Sequence, residues 1–108
     1  MKKIIATLLF VPAMVQAEFV TGNTLFKDMN GDVVDKSIAL GYVMGVSDAY
    51  TNVTVCLPAN VTAGQVQDVV KRYLENNPDK RHYTADSLVR DSLEKVWPCK
   101  QQGKGRGT

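Results

Sequence analysis

Two cysteines and one histidine are the only residues of this chain that could serve as a thiol or imidazole catalyst. Cys56 lies in Val55-Cys56-Leu57-Pro58, Cys99 in Trp97-Pro98-Cys99, and His82 between them. A cysteine nucleophile needs a base close enough to hold it as thiolate, so a Cys-His pair can be drawn. The competing reading is structural. In a short exported chain, a matched pair of cysteines forms one disulfide, Cys56–Cys99, which uses up both thiols. A zinc site would need Cys56, Cys99 and His82 together, at a spacing that fits no zinc pattern. Asp28, Asp32 and Asp35 resemble a calcium loop only loosely, because the glycine and closing glutamate of an EF-hand are misplaced. His82 precedes Tyr83 and stands four residues before Asp86, as a local cap or salt-bridge partner would. The sequons Asn52-Val53-Thr54 and Asn60-Val61-Thr62 read as chance matches, with Thr62 already serving as a helix cap. These residues point away from an enzyme, and nothing calls for a metal or a cofactor.

The compartment follows from the first residues. Met1-Lys2-Lys3 opens a basic stretch, Ile4 to Val11 is apolar, and Val15-Gln16-Ala17 supplies small or aliphatic residues at the cleavage positions. That is a secretory signal peptide over residues 1–17, cut after Ala17. Its apolar run is too short to span a bilayer comfortably, and Glu18 replaces the cysteine that lipid attachment would require. The expected product is bacterial, periplasmic and soluble, with no membrane attachment once the leader is removed.

Cleavage of 17 residues from the 108 leaves 91. The 13 Lys and Arg fall to 11 with the loss of Lys2 and Lys3, matching the 11 Asp and Glu. A neutral domain lacks the basic face that nucleic-acid binding demands. One domain is all this length allows, and its core is marginal. Closing the Cys56–Cys99 loop is worth roughly 4 kcal/mol on the chain-entropy model. Against a total stability of about 5–15 kcal/mol, that is a large share.

Four helices and no strand can be read between these cysteines and the leader, predicting an all-α, small four-helix orthogonal bundle stapled by one disulfide. The first is capped by Thr21, with Val20 and Leu25 in staple positions; it carries Leu25, Phe26 and Met29 inward and stops at Asn30-Gly31. The second runs from Val33 to Tyr50 after an Asp32 cap, with Val34, Ile38, Tyr42, Val46 and Ala49 recurring at helical spacing. Gly41, Gly45 and Ala49 leave a strip almost without side chains along it. Two mid-helix glycines cost roughly 1 kcal/mol each relative to Ala, so close approach of another helix is expected, within the chain or across a dimer seam. The third starts at a capping box, Thr62 and Gln65, and presents Val66, Val69, Val70, Tyr73 and Leu74 on one face before Asn76-Asn77-Pro78 ends it. The fourth starts at Thr84, with Tyr83 and Leu88 as staple. It buries Leu88, Val89, Leu93, Val96 and Trp97, and ends at Pro98. Lys71, Arg72, Lys80 and Arg81, interspersed with Glu75 and Asp79, read as a solvated helix face. The domain therefore spans 18–99, and the glycine-rich tail 100–108 is expected to be disordered.

Several blocks, taken in order, resemble one family. They are Thr21-Gly22-Asn23-Thr24-Leu25, Leu40-Gly41-Tyr42-Val43-Met44-Gly45-Val46-Ser47-Asp48-Ala49, Cys56-Leu57-Pro58, Val61-Thr62-Ala63-Gly64-Gln65, Val69-Val70-Lys71-Arg72-Tyr73-Leu74, Pro78, Arg81-His82-Tyr83, Ala85, Leu88-Val89 and Trp97-Pro98-Cys99. The set is similar to the Rap/Tai immunity proteins, periplasmic antidotes to the peptidoglycan amidase effectors of type VI secretion, and it covers nearly the whole mature chain. The resemblance implies a disulfide-bonded helical protein, commonly dimeric, that binds an NlpC/P60-class amidase and blocks its active site. Many members carry a second cysteine pair where this chain has Met29 and Ala39, so the first helix is expected to be more mobile.

The family blocks fall on caps, staples, glycines and cysteines, which are scaffold positions. Effector contacts are then expected on the loops between them: Asn76, Asn77, Asp79, Lys80 and Arg81 in one, with Lys80 and Arg81 projecting, and Tyr50 and Asn52 in the other, which extends to Val55. Two rival readings share the scaffold. One is a small disulfide-bonded periplasmic chaperone activated by acid; the other is a family relative that has lost its amidase partner.

Overall fold

A computed structural model describes residues 19–100; the expected signal peptide, 1–17, and all but the first residue of the expected tail, 100–108, lie outside them. Local chemistry sets the helix starts. Helix α1, Gly22–Met29, begins where the Thr21 hydroxyl accepts the Thr24 N–H, and α2, Val33–Tyr50, where the Asp32 carboxylate accepts the Asp35 N–H. Helix α3, Ala63–Asn76, begins at a complete capping box. The Gln65 N–H donates to the Thr62 hydroxyl at 3.1 Å and the Thr62 N–H to the Gln65 side chain at 2.8 Å. After one 3-10 turn, Pro78–Lys80, helix α4 runs Ala85–Val96. Thr84 makes no side-chain cap; its hydroxyl pairs with Ser87 Oγ at 3.2 Å instead. Among the described residues there are four α-helices and no strand, and every pair of helices is in contact.

The core is built from one face of each helix. Leu25 and Met29 come from α1, Ala39 and Val43 from α2, Val66, Val70 and Leu74 from α3, and Ala85, Leu88, Val89 and Leu93 from α4. Burying each of the larger ones is worth about 1.5–3 kcal/mol. Met29 and Ala39 are both fully buried in this one cluster. At these two positions α1 and α2 join the same apolar core.

Two expectations need correction. In α2, Val34 is 64 % and Ile38 59 % exposed, and Ala49 is also exposed; Ala39, Val43 and Ser47 face inward instead, flanked by half-buried Tyr42, Val46 and Tyr50. The helix is apolar on both sides, and the other helices pack on the side of Ala39, Val43 and Ser47. In α4, Val96 is 49 % exposed, because the chain leaves the helix there. Tyr83 is also more than half exposed and stacks on His82, ring centroids 4.4 Å apart.

Two backbone seams close the bundle. Near the start, the Gly22 N–H donates to the Tyr83 carbonyl at 2.9 Å and the Ala85 N–H to the Val20 carbonyl at 2.6 Å. The chains approach so closely that a Cβ on Gly22 would meet the Arg81 carbonyl oxygen at 2.8 Å and the Leu88 side chain. At the other end the Cys56–Cys99 disulfide, Cα–Cα 4.8 Å, is flanked by Cys56 N–H to Trp97 carbonyl at 2.8 Å and Cys99 N–H to Thr54 carbonyl at 3.2 Å. The bond joins the entry of α3 to the exit of α4.

Candidate partner interface

With both cysteines in the disulfide, no free thiol is present among the described residues. His82 is exposed and occupied with Tyr83. No three of His, Cys, Asp and Glu gather into a possible metal site among the described residues. The surface, then, is where chemistry must be sought, beginning with the two loops that the sequence singles out.

The loop after α2 is a rigid knuckle. The Tyr50 carbonyl accepts N–H groups from Val53, Thr54 and Val55 at 3.0–3.1 Å, and the Asn52 N–H donates to the Val55 carbonyl at 2.7 Å. Thr51 ties its hydroxyl to the Ser47 carbonyl at 2.7 Å. Asn52 stands at φ 68°, the left-handed conformation that asparagine tolerates better than most residues. Val55 is fully buried beneath, while Val53 at the apex is 67 % exposed. Tyr50 itself is half-buried, with the Arg90 guanidinium 5.7 Å from its ring centroid. Arg90 in turn bonds Asp91 at 3.1 Å, which holds its guanidinium pKa above the ordinary value. An open cleft of about 1060 Å³ runs beside this knuckle, past Glu94, Pro98 and the disulfide.

The loop after α3 is divided. Asn76, Asp79 and Lys80 are exposed, as a contact surface requires. Asn77 is turned back, its side-chain amide donating to the Tyr73 carbonyl at 2.8 Å. Arg81 does not project: its Nε donates to the Leu74 carbonyl at 2.7 Å and its guanidinium lies 4.1 Å above the Phe26 ring. The Arg81 carbonyl also accepts the Asn23 N–H at 2.8 Å. One side chain, set in the turn from α3 to α4, thus bonds the end of α3 and covers α1.

The glycine strip faces away from the bundle. A Cβ built on Gly41 or on Gly45 would meet nothing within 4 Å, and both glycines and Ala49 are exposed. None of the described helices crosses there. Tyr42, one residue round the helix, is held against α4, where burial and then the Asp86 carboxylate raise its phenol pKa. Sequence reasoning missed one further surface, a groove between α3 and α4, because it assigned Val96 to the core and Arg72 to a solvated face. The exposed end of a fully apolar stripe gave no signal that it had run past the bundle.

Fold and surface together define a small, disulfide-stapled helical protein with no catalytic constellation among its described residues, built to present loops and helix faces. The sequence profile of the Rap1a immunity proteins matches residues 21–99, from the cap of α1 to the second half-cystine. The chain belongs to the Rap1a immunity protein family. No curated protein matches it.

Proposed function

We propose that this is a periplasmic immunity protein of a type VI secretion system, which binds a peptidoglycan amidase effector of the NlpC/P60 class and occludes its active site. The observation that carries the reading is the extent of the family match, which takes in all four helices and both cysteines. The rigid Tyr50–Val55 knuckle and the exposed Asn76, Asp79 and Lys80 are loop surfaces held at fixed positions by that scaffold, as occlusion of a cleft requires. The test is to look in the neighbouring genes for a small amidase with a Cys and a His, and to co-express it with this protein. Exported amidase alone should lyse cells, and co-export of this protein should prevent lysis and yield a co-purifying complex. Lysis unaltered by the protein would refute the reading.

The same reading includes a homodimer, built on the outer line of α2. Val34 and Ile38 stand toward its start, and Gly41, Gly45 and Ala49 toward its end, all on the face opposite Val43. An antiparallel second copy sets the bulky end of each helix against the small end of the other. This is the self-complementarity that a two-fold axis demands. The two glycines would then be offset by close helix contact, which the single chain does not supply.

A further inference from the structure

The groove between α3 and α4 encloses about 180 Å³. Its apolar lining comes from Val69 and Tyr73 on α3 and from half-exposed Val96 on α4. Two cations share that lining, Arg72 from α3 and Lys95 from α4, and both side chains are exposed. No carboxylate lines the groove. Neither Arg72 nor Lys95 makes an ion pair with another described residue. The buried Ser92 hydroxyl in the wall already donates to the Val89 carbonyl at 2.8 Å and asks for nothing more. What the groove offers is apolar contact flanked by positive donors.

We infer that this groove docks a carboxylate carried on an apolar body, presented by a protein partner as an acidic residue beside an aromatic or aliphatic one. The inference rests on the immunity reading in one respect, that the partner is the toxin. The apolar body covers Val69, Tyr73 and Val96, while Arg72 and Lys95 close on the carboxylate from the two helices. Charge-assisted hydrogen bonds of this kind are shorter and about twice as strong as neutral ones. Residues 18–99 carry 8 Lys and Arg against 11 Asp and Glu, a net charge of −3, so the cleft is a local basic spot on an acidic domain. Its own field raises the association rate for an acidic patch, a gain that salt removes.

The chemistry can be tested without the toxin. The disulfide-bonded mature protein is titrated by NMR with N-acetyl-L-phenylalanine and with its neutral twin, N-acetyl-L-phenylalaninamide. The acid should bind on the order of millimolar, with amide shifts centred on Val69, Tyr73, Ser92 and Val96. Replacing Arg72→Gln with Lys95→Gln should weaken the acid about tenfold and leave the amide unaffected. Shifts centred elsewhere, or equal binding of acid and amide, overturn the proposal. With the amidase as ligand, the double reversal Arg72→Glu/Lys95→Glu should slow association and weaken binding by about tenfold or more, with an unchanged melting curve. Binding as tight as wild type removes the groove from the interface. A wild-type protein that binds the acid probe but no amidase overturns the immunity reading and leaves the chemistry of the groove standing.

Discussion

Arg81 carries more of this fold than its position in a charged loop suggests. Its guanidinium joins three segments, through the Leu74 carbonyl of α3, the Phe26 ring of α1 and its own turn. A hydrogen bond from a charged group is worth about 1.5–3 kcal/mol net, and a half-exposed cation–π contact about 0.5–1 more. Arg81→Ala is therefore expected to cost about 2 kcal/mol in urea unfolding. Lys80→Glu, one residue away and exposed, should fall within about 0.5 kcal/mol of wild type. Charge reversal at Lys80 alone is the clean probe of the partner loop, since reversal at Arg81 confounds binding with stability. Gly22 is the second such residue. Gly22→Ala would bring a Cβ against the backbone oxygen of Arg81, which cannot move like a flexible side chain, so a loss of about 1–3 kcal/mol is expected from overpacking. Caps were legible because they are decided within four residues: Thr21, Asp32 and the Thr62–Gln65 box all formed as the sequence indicates. Arg81 was not, because its partners lie seven residues back and across the bundle in α1.

At the scale of the element, α2 shows where periodicity loses its power. Its limits, Val33 to Tyr50, follow from the Asp32 cap and the turn at Thr51. Its orientation does not, because both faces are apolar and either could be buried. The face that packs is Ala39, Val43 and Ser47, flanked by half-buried Tyr42, Val46 and Tyr50, while Val34, Ile38 and the glycine strip are left outside. This gives the glycines opposite expected effects in two assays. In the isolated chain Gly41→Ala and Gly45→Ala each add a Cβ in open space and should raise helix stability by about 1 kcal/mol. At an α2–α2 seam a larger group should clash, so Gly45→Leu is expected to shift the protein to monomer in light scattering while the monomer still melts cooperatively. A Gly45→Leu protein that keeps the wild-type mass would exclude the α2 seam.

At the scale of the whole molecule, the disulfide does two jobs through one piece of geometry. Cys56 and Cys99 are 43 residues apart in sequence, and on the chain-entropy model closing that loop contributes roughly 4 kcal/mol. The bond also lies in the seam that anchors the knuckle, since Thr54 accepts the Cys99 N–H and Cys56 donates to Trp97. The pairing was legible from two cysteines in a chain this short. That the same bond braces a candidate contact loop was not, because nothing local links Thr54 to Cys99. Reduction should therefore separate into two signals. Stability should fall by roughly 4 kcal/mol, which for a domain of this size is on the order of 20 °C in Tm. At a temperature where the reduced protein is still folded, affinity for the proposed amidase partner should fall as well, because a knuckle no longer held from behind must be ordered on binding, at about 0.5–1.5 kcal/mol per immobilised side chain. Cys56→Ser/Cys99→Ser provides the same test without reductant. A variant that loses the expected stability yet binds as tightly as wild type would separate the staple from the interface, and would move the contact surface to the α3–α4 groove and the Asn76–Lys80 loop.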